Sequence, residues 1–384
     1  MRLLIAGGGT GGHIYPALAV ARSLRERPNA PEIVWLGGHR GLEAALVKAA
    51  GIPVRRLVLR SLRTVDVSVH AVLDPVRLAA SVPQAAAILA RWRPAAIFTT
   101  GGYVAVPTML AAAPLGIPVV LWDGNVVPGR AVRMTARLAD TIAVSHDATG
   151  LALARAGARW YLTGTPIRDV GAIDREAART RLDLPQDARV MLIFGGSQAV
   201  RRFNGAVVAA LPRLVERGHV LHVTGEEGYA PALAARESLP AEKRARYRPF
   251  PFLRDEMLPA LVSADLVVGR AGSSTLAEVT ALGLPSVIVP YPHAAGHQAA
   301  NARVLAETGA ARLVADEAFD ADALVEAADL LADDAERGRM ADAAGALGRP
   351  GAAEAVAELV MAAAERRASP DRDVIERLSR GGQR

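Results

Sequence analysis

The feature that most constrains the fold lies at the amino terminus, where a short apolar stretch leads into a glycine-rich loop and then into a helical pattern. The loop reads Gly7-Gly8-Gly9-Thr10-Gly11-Gly12-His13 and follows the apolar residues 3–6. Glycines let backbone N–H groups approach a ligand closely, and the N-terminus of the following helix adds partial positive charge. This order predicts a loop that binds an anion or a polar ligand. Dehydrogenases, kinases and transferases all use such loops, so the loop by itself leaves these functions open.

The length and the amino-acid usage limit the class of protein. A chain of 384 residues exceeds what one hydrophobic core usually supports, which predicts two domains of roughly 150 to 200 residues. The absence of cysteine excludes disulfides, thiolate metal sites and a cysteine nucleophile. The amino terminus lacks the layout of a signal peptide because glycines interrupt its apolar stretch. We therefore expect a cytoplasmic protein.

The charge balance favours an anionic partner. The net charge is +6, which suits a nucleotide, a phospholipid surface or a nucleic acid. Aromatic residues make up only 4% of the chain, and no run alternates aromatic with basic residues. Nucleic acid is therefore the least favoured of the three partners.

Residues 97–122 carry no charge and are long enough to cross a bilayer. Glycines and prolines interrupt this segment, among them Gly101, Gly102, Pro107 and Pro114. Such interruptions would leave backbone groups unsatisfied in lipid. We expect a strand, a loop, a short helix, a turn and a second strand here rather than a membrane span.

Apolar strand-like runs alternate with helical patterns along the whole chain. They lie at residues 3–6, 33–36, 95–100, 118–122, 141–145, 190–195, 220–224, 265–269 and 286–290. Alternation of this kind predicts parallel sheets that are covered by helices on both faces. A second glycine loop, Gly195-Gly196-Ser197-Gln198, follows the run at 190–195. The fold class expected is α/β, with two Rossmann-like, doubly wound parallel-sheet domains that face each other across a cleft.

Turn residues place the domain boundary near residue 165. We expect an N-terminal domain over residues 1–164 and a C-terminal domain over residues 165–346. A helix expected over residues 351–367 is predicted to pack back on the N-terminal domain, and residues 368–384 are expected to form a polar tail.

A second motif begins where the predicted strand at 265–269 ends. It contains Arg270, Gly272, Ser273, Ser274, Thr275 and Glu278. Backbone N–H groups and hydroxyls at a helix N-terminus can hold a diphosphate, and a carboxylate one turn later can accept both hydroxyls of a ribose. The alternative is an ordinary serine N-cap with a surface glutamate.

Four further motifs accompany these two. They are Gly101-Gly102-Tyr103, Asn125 after a strand, Gly195-Gly196-Ser197-Gln198, and His297-Gln298 with Asn301. In this order, the six motifs resemble those of the GT-B glycosyltransferases and specifically the MurG family, over residues 1 to about 365. That family transfers N-acetylglucosamine from UDP-N-acetylglucosamine to a polyprenyl-pyrophosphoryl muramyl-pentapeptide.

The resemblance implies a set of donor-binding residues. Glu278 should hold the ribose, residues 273–275 the diphosphate, the backbone near Leu253 the uracil, and Gln298 with Asn301 the sugar hydroxyls. The complete donor set is Thr10, Gly11, Gly12, Arg168, Ser197, Gln198, Leu253, Arg270, Gly272, Ser273, Ser274, Thr275, Glu278, Gln298 and Asn301.

The resemblance also implies an acceptor site in the N-terminal domain. Its expected residues are Gly11, Gly12, His13, Gly101, Gly102, Tyr103 and Asn125. The two glycine loops should bind the acceptor pyrophosphate; the less favoured alternative is that both are structural turns between a strand and a helix. His13 is the first candidate for the general base of an inverting transfer, because a helix N-terminus disfavours its charged form. Asp123 is the second candidate.

Three positions depart from the usual pattern of the MurG family. Ala199-Val200 stands where the family usually has Gly-Ala, Trp122-Asp123-Gly124 where it commonly has His-Glu-Gln, and Thr165 where Asn is usual. No cofactor is implied. Acidic pairs with the spacing used for metal-bridged donors occur at Asp320 and Asp322 and at 371 and 373, but the first begins a predicted helix and the second lies in the polar tail, so we expect both to be solvated charge. The histidines at 13, 293 and 297 are not spaced as a ligand set, and no metal site is indicated.

Basic and apolar residues in the N-terminal domain favour contact with anionic lipids at the cytoplasmic face of the plasma membrane. The alternative is that they belong to an ordinary packed helix with a solvated arginine face. They are Arg55, Arg56, Arg60, Arg63, Val72, Leu73, Val76, Arg77 and Leu78. Two other functions remain open. One is another GT-B enzyme that uses UDP-N-acetylglucosamine, such as a 2-epimerase or a lipid or natural-product glycosyltransferase, and the other is a nucleotide-binding module without catalysis.

Overall fold

A computed structural model describes residues 1–9, 11–38, 43–59, 69–154, 159–195, 200–292 and 296–382, with the side chains at 43–44, 69–74 and 200 excepted. The chain divides into two compact units. Unit 1 contains Met1–Arg168 and Arg349–Arg384, and unit 2 contains Asp169–Gly348.

Each unit contains one fully parallel sheet. The strands are β1 (Arg2–Ala6), β2 (Glu32–Gly37), β3 (Val54–Arg56), β4 (Ala96–Thr99), β5 (Val119–Asp123), β6 (Thr141–Val144), β7 (Arg159–Leu162), β8 (Val190–Phe194), β9 (His219–Val223), β10 (Tyr247–Phe250), β11 (Leu266–Gly269), β12 (Ser286–Ile288) and β13 (Ala311–Leu313). Their order is β3-β2-β1-β4-β5-β6-β7 in unit 1 and β10-β9-β8-β11-β12-β13 in unit 2. Both orders reverse direction beside the first strand of the unit, which is the doubly wound arrangement of dinucleotide-binding folds.

Helices connect the strands. They are α1 (Gly11–Arg25), α2 (Glu43–Ala49), α3 (Val69–Trp92), α4 (Gly102–Ala112), α5 (Arg130–Thr135), α6 (Asp147–Ala154), α7 (Arg175–Arg181), α8 (Val200–Arg217), α9 (Gly225–Glu237), α10 (Met257–Ser263), α11 (Ser273–Ala281), α12 (His297–Glu307), α13 (Ala321–Asp329), α14 (Asp334–Leu347), α15 (Ala352–Ala364) and α16 (Arg372–Ser379). Short 3-10 turns lie at Ala113–Leu115, Ala136–Leu138, Ala241–Arg246, Asp316–Ala318 and Leu330–Ala332.

The central strands form where the sequence predicts them. Residues such as Leu4, Ile5, Val267 and Val268 are fully buried, as expected for parallel strands covered on both faces. Four further strands, β3, β7, β10 and β13, are not among the predicted runs. They are three or four residues long and carry mostly exposed or half-buried side chains, and all four lie at sheet edges. They carry no continuous apolar run because a sheet edge needs no apolar residues on both faces.

The uncharged segment at 97–122 folds as the sequence predicts. It contains β4, α4, a 3-10 turn that ends at Gly116 with φ of 61°, and β5. Within the described residues, no helix combines the length and the apolar character that a membrane crossing needs.

Helix α15 contributes to the core of unit 1. Ala355, Val356 and Val360 are fully buried in the cluster that also contains residues of β1 and α1. The Arg27 guanidinium, two residues after the end of α1, pairs with Glu354 at 2.8 Å and with Glu358 at 3.1 Å. Packing and ion pairs together attach the returning chain to unit 1.

Within the expected polar tail at 368–384, residues 372–379 form a helix, α16, that packs on unit 1. Ile375 and Leu378 of this helix are buried in the core of unit 1. The Arg372 guanidinium lies 4.8 Å from the centre of the Trp160 ring. Two buried residues three positions apart are enough to dock a short helix, but they are too few to stand out from a polar sequence.

Candidate active site

The glycine loop after β1 carries His13 into the first turn of α1. Nδ1 of His13 lies 2.8 Å from the carbonyl oxygen of Thr100, and the Thr100 hydroxyl donates to the His13 carbonyl at 3.0 Å. A carbonyl oxygen only accepts hydrogen bonds, so Nδ1 carries the proton in the neutral ring. Nε2 is then the nitrogen that can accept a proton. The start of this glycine loop is also fixed, because the buried indole of Trp35 donates to the Gly7 carbonyl at 2.8 Å.

Gly101 and Gly102 follow β4 and face the same loop. Both have positive φ, +79° and +76°, which glycine adopts without strain. A Cβ atom on Gly102 would lie 3.7 Å from Nε2 of His13. A side chain at position 102 would therefore be in van der Waals contact with the His13 ring near Nε2. Tyr103, in contrast, is only 9% exposed and packs in the core, with its hydroxyl beside Gly38.

Asp123 ends β5 and is 3% exposed. Its Oδ1 atom accepts from the Asn125 backbone N–H at 2.9 Å and from the Asn125 side-chain amide at 3.2 Å, and its Oδ2 atom accepts from the Gly129 N–H at 3.1 Å. Burial raises the pKa of the Asp123 carboxyl, while these hydrogen bonds and the nearby His13 act in the opposite direction. Both carboxylate oxygens thus hold the loop that follows β5.

The same loop is held from α6. The buried Thr149 hydroxyl lies 2.5 Å from the Asn125 carbonyl and 2.9 Å from the Val126 carbonyl. The half-buried Asn125 side chain is therefore presented by a loop whose backbone is fixed on both sides.

In unit 2, α11 begins directly after β11 and carries the second motif. The N-cap is Gly272, and no side chain caps the helix. The buried Oγ atom of Ser274 has no hydrogen-bond partner among the described residues. Glu278, one turn into the helix, is only 7% exposed. Uncapped backbone N–H groups and an unsatisfied hydroxyl at a helix N-terminus suit a phosphate ligand.

Arg270 has a different environment from the one expected of a donor contact. Its guanidinium is 6% exposed, pairs with Asp316 at 2.5 Å and donates to the Val289 carbonyl at 3.1 Å. It also lies 4.8 Å from the ring centre of Phe203 and 5.4 Å from that of Tyr291. These contacts give Arg270 a structural role in joining β11 to the loop after β12.

The loop after β12 leads to α12, whose N-cap Gly296 has φ of +78°. Oε1 of Gln298 accepts from the Tyr291 backbone N–H at 2.9 Å. Asn301 is 1% exposed. The amide group of Gln298 thus orders the loop, while its donor N–H₂ group points to no partner that the structure records. Leu253, after β10, is half-buried against the core.

Family models match most of the chain. The glycosyltransferase family 28 N-terminal domain matches residues 3–144, and the glycosyltransferase family 28 C-terminal domain matches residues 190–358. A protein of Desulforudis audaxviator is 39% identical over 94% of this chain and 98% of its own length. One of Moorella thermoacetica is 38% identical over 95% and 100%. Both are named UDP-N-acetylglucosamine--N-acetylmuramyl-(pentapeptide) pyrophosphoryl-undecaprenol N-acetylglucosamine transferase.

Among solved structures, MurG of Acinetobacter baumannii matches with a TM-score of 0.73 and 28% identity, covering 94% of this chain and 99% of that one. The chain belongs to the MurG family of glycosyltransferases. The predicted family and the α/β fold class of two parallel-sheet domains are therefore confirmed. A UDP-GlcNAc 2-epimerase from Neisseria meningitidis, solved with UDP-GlcNAc, matches with a TM-score of 0.64 at 13% identity over 94% of this chain. That likeness shows the fold alone.

Two of the residues that depart from the MurG pattern, Thr165 and Trp122, are buried and make side-chain hydrogen bonds within unit 1. Thr165 is buried, and its hydroxyl lies 2.8 Å from that of Ser145. Trp122 is buried, and its indole Nε1 donates to the Gly164 carbonyl at 3.0 Å. Both side chains therefore fasten the segment that follows β7, at whose end Arg168 lies half-buried.

Several residues singled out in the sequence lie outside the described residues. They are Thr10, Arg60, Arg63, Gly196, Ser197, Gln198, Ala199 and His293. The side chains of Val72, Leu73 and Val200 are likewise not described. Across the described ranges, no three His, Cys, Asp or Glu side chains cluster in a way that would hold a metal ion.

Three residues that support this site were missed in the sequence. Thr100 orients His13, Thr149 holds the Asn125 loop, and Asp316 pairs with Arg270. Thr100 precedes Gly101 directly, so its position at the end of a predicted strand was an available signal. Asp316 lies 46 residues from Arg270, and no local pattern connects the two.

Proposed function

We propose that this chain is the hexosyltransferase that moves N-acetylglucosamine from UDP-N-acetylglucosamine to the muramyl hydroxyl of undecaprenyl-pyrophosphoryl-N-acetylmuramoyl-pentapeptide. Relatives that share more than a third of its residues over nearly their full length are named for this transfer. The observation that carries the catalytic part is the bond from His13 to the Thr100 carbonyl, because it leaves Nε2 as the proton acceptor beside Gly102.

The reaction is a single displacement with inversion. The muramyl hydroxyl oxygen attacks the anomeric carbon, the bond from that carbon to the diphosphate oxygen breaks, and UDP leaves. The hydroxyl proton passes to Nε2 of His13. Asp123 is the weaker candidate for the base, because both of its oxygens are engaged by the Asn125 loop and its side chain is buried. A base must reach the proton that it removes.

The donor half of the proposal rests on α11. The leaving diphosphate gains negative charge as the bond to the sugar breaks, and helix N-termini and hydroxyls oriented in advance stabilise such charge. The unsatisfied Oγ of Ser274 and the uncapped N-terminus of α11 suit this task. Glu278 binds the ribose in this scheme, and Arg168 binds the diphosphate.

The test is transfer with purified protein. UDP-N-acetylglucosamine labelled in the sugar is mixed with the lipid-linked muramyl acceptor, and the label is followed into the lipid fraction. Transfer that needs the acceptor supports the proposal. Formation of the 2-epimer or release of free sugar without acceptor would identify a different GT-B activity, and binding without turnover would identify a non-catalytic module.

We also infer that the protein acts as a peripheral protein at the cytoplasmic face of the plasma membrane, where a polyprenyl acceptor resides. Met134 of α5 is 66% exposed. Three exposed arginines lie within four residues of it along the chain, namely Arg130, Arg133 and Arg137. Val76 of α3 is 62% exposed, and α3 packs on α4, which in turn packs on α5. Exposed apolar and basic side chains together suit an anionic lipid surface, to which each basic residue adds about 1 kcal/mol.

Liposome sedimentation tests this part. We expect binding to vesicles that contain anionic lipid, weaker binding with added salt, and a marked loss in an Arg133→Glu, Arg137→Glu double variant. The control is Arg201→Glu, a reversal of charge on a 90% exposed side chain of unit 2. Equal binding to neutral and anionic vesicles would overturn the electrostatic contribution.

A further inference from the structure

Gly164, two residues after β7, is held by a packing contact and by a side-chain hydrogen bond. Its φ is +80°, a conformation that favours glycine. A Cβ atom there would lie 2.8 Å from Cβ of Arg349, so its backbone packs directly on that side chain. The indole of Trp122 also donates to the Gly164 carbonyl at 3.0 Å. Only glycine fits this position, and its peptide group has one orientation.

The residues that follow Gly164 are also fixed within unit 1. The Thr165 hydroxyl pairs with that of Ser145 at 2.8 Å. Thr165 and Ile167 are 5% and 6% exposed. The chain therefore reaches Arg168 through a buried segment whose direction is set at Gly164.

Arg349, which packs on Gly164, is fastened by the C-terminal helix. Its Nη1 atom donates to the Ser379 hydroxyl at 2.6 Å, and its Nη2 atom lies 3.3 Å from Oε1 of Glu376. Ser379 is fully buried. The Arg349 side chain on which Gly164 packs is thus held in place by α16.

We propose that Trp122 is a positioning residue for donor binding, because it fixes the Gly164 peptide and thereby the place of the Arg168 guanidinium. This inference rests on the proposed function, which assigns Arg168 to the donor diphosphate. The Gly164 carbonyl also accepts from the Thr163 hydroxyl at 3.1 Å, so the indole is one of two donors that set the direction of this carbonyl. We expect its loss to shift the segment that leads to Arg168, and small displacements of a positioning group weaken its contact steeply.

The experiment measures UDP affinity by calorimetry in Trp122→Phe, which keeps an aromatic ring and removes the indole N–H. We expect the Kd of UDP to rise about two- to tenfold, the equivalent of one hydrogen bond. The matched control is Tyr161→Phe, which removes the Tyr161 hydroxyl bond to the Pro370 carbonyl, 3.1 Å long and also in unit 1. It should lose a similar amount of thermal stability and bind UDP as wild type does.

A double-mutant cycle then tests whether Trp122 acts through Arg168. In an Arg168→Ala background, Trp122→Phe should have no further effect on UDP affinity. An equal effect in both backgrounds, or an unchanged Kd in Trp122→Phe, would overturn the inference while the proposed function stands. Normal UDP binding by Arg168→Ala alone would remove the donor assignment of Arg168, and this inference with it.

Discussion

The carboxyl edge of the first sheet and that of the second differ in how completely the protein satisfies its own polar groups. In unit 1, His13, Asp123 and Thr149 all make hydrogen bonds to the backbone of neighbouring loops. In unit 2, the buried hydroxyl of Ser274 at the start of α11 has no partner in the part of the chain that the structure describes. The strand order around these edges is the same.

This difference shows two ways of building a site on one sheet topology. A satisfied edge is rigid before the ligand arrives, which suits a residue that must hold one tautomer and one orientation. An unsatisfied buried hydroxyl costs stability, roughly 1 to 3 kcal/mol, and that cost is recovered when a ligand accepts its hydrogen bond. We therefore expect changes in unit 1 to affect turnover and stability, and changes at α11 to affect ligand affinity.

The largest expected effect is that of His13→Ala. It should lower kcat by about 10² to 10⁴, because it removes the proposed general base, while UDP affinity stays as in wild type. The wild-type kcat should rise with pH as the imidazole loses its proton, and this rise should vanish in the variant. Steady-state kinetics across pH, with calorimetry for UDP, measures both.

Thr100→Val is the control for the structure of the glycine loop. It removes the Thr100 hydroxyl but keeps the carbonyl that orients His13, so the pH dependence should persist. A pH dependence that survives His13→Ala and disappears in Asp123→Asn would identify the carboxylate as the base.

The next effect is that of Glu278→Ala on the donor site. Hydrogen bonds to a charged group contribute about 1.5 to 3 kcal/mol each, so the Kd of UDP should rise about 10- to 150-fold. Glu278→Gln, which keeps the size of the side chain and removes its charge, should give a smaller increase. Unchanged UDP binding in the alanine variant would show that α11 does not bind the ribose.

Asp123→Asn should have a smaller effect, confined to unit 1. Asparagine has an amide nitrogen in place of one carboxylate oxygen, and this nitrogen cannot accept the backbone hydrogen bond that the oxygen accepts. The Asn125 loop should therefore loosen, and the acceptor KM should rise about two- to tenfold. Burial raises the Asp123 pKa above its ordinary value of 3.8, so the folded state binds this proton more tightly than the unfolded chain. Wild-type stability should therefore fall, relative to the variant, as pH rises from 3.8 through the raised pKa.

Thermal unfolding over this pH range, in parallel with acceptor kinetics, measures the Asp123 effects. A stability difference between wild type and Asp123→Asn that grows in the opposite direction with pH would contradict the role assigned to burial.

The smallest effects come from two hydroxyls that test the comparison directly. Ser274→Ala removes an unsatisfied hydroxyl, so stability should stay the same or rise slightly, while UDP affinity falls about two- to tenfold. Thr149→Val removes a satisfied hydroxyl, so stability should fall by about 1 kcal/mol with UDP affinity unchanged. Denaturant unfolding and calorimetry on both variants suffice. If both variants changed stability and UDP affinity in the same way, the proposed difference between the carboxyl edges of the two sheets would be wrong.

Much of the fold could be predicted, because buried parallel strands require continuous apolar runs and every central strand has one. The edge strand β3 could not, since its exposed Arg55 and Arg56 carry no such pattern. Helix α16 was missed for a related reason, since Ile375 and Leu378 are its only deeply buried apolar residues. Elements whose stability comes from a neighbouring surface leave little signal in their own sequence.

The sequence by itself determined the two glycine loops, the chain positions of His13 and Glu278, and the family, because these depend on residue types at fixed local spacing. Only the tertiary structure decided which nitrogen of His13 accepts a proton, that Asp123 holds a loop, and that Arg270 pairs with Asp316. Each of these depends on a hydrogen-bond partner supplied by a loop or by another strand. Hydrogen bonding and burial set tautomer, charge and orientation, and both are properties of the packed structure rather than of the local sequence.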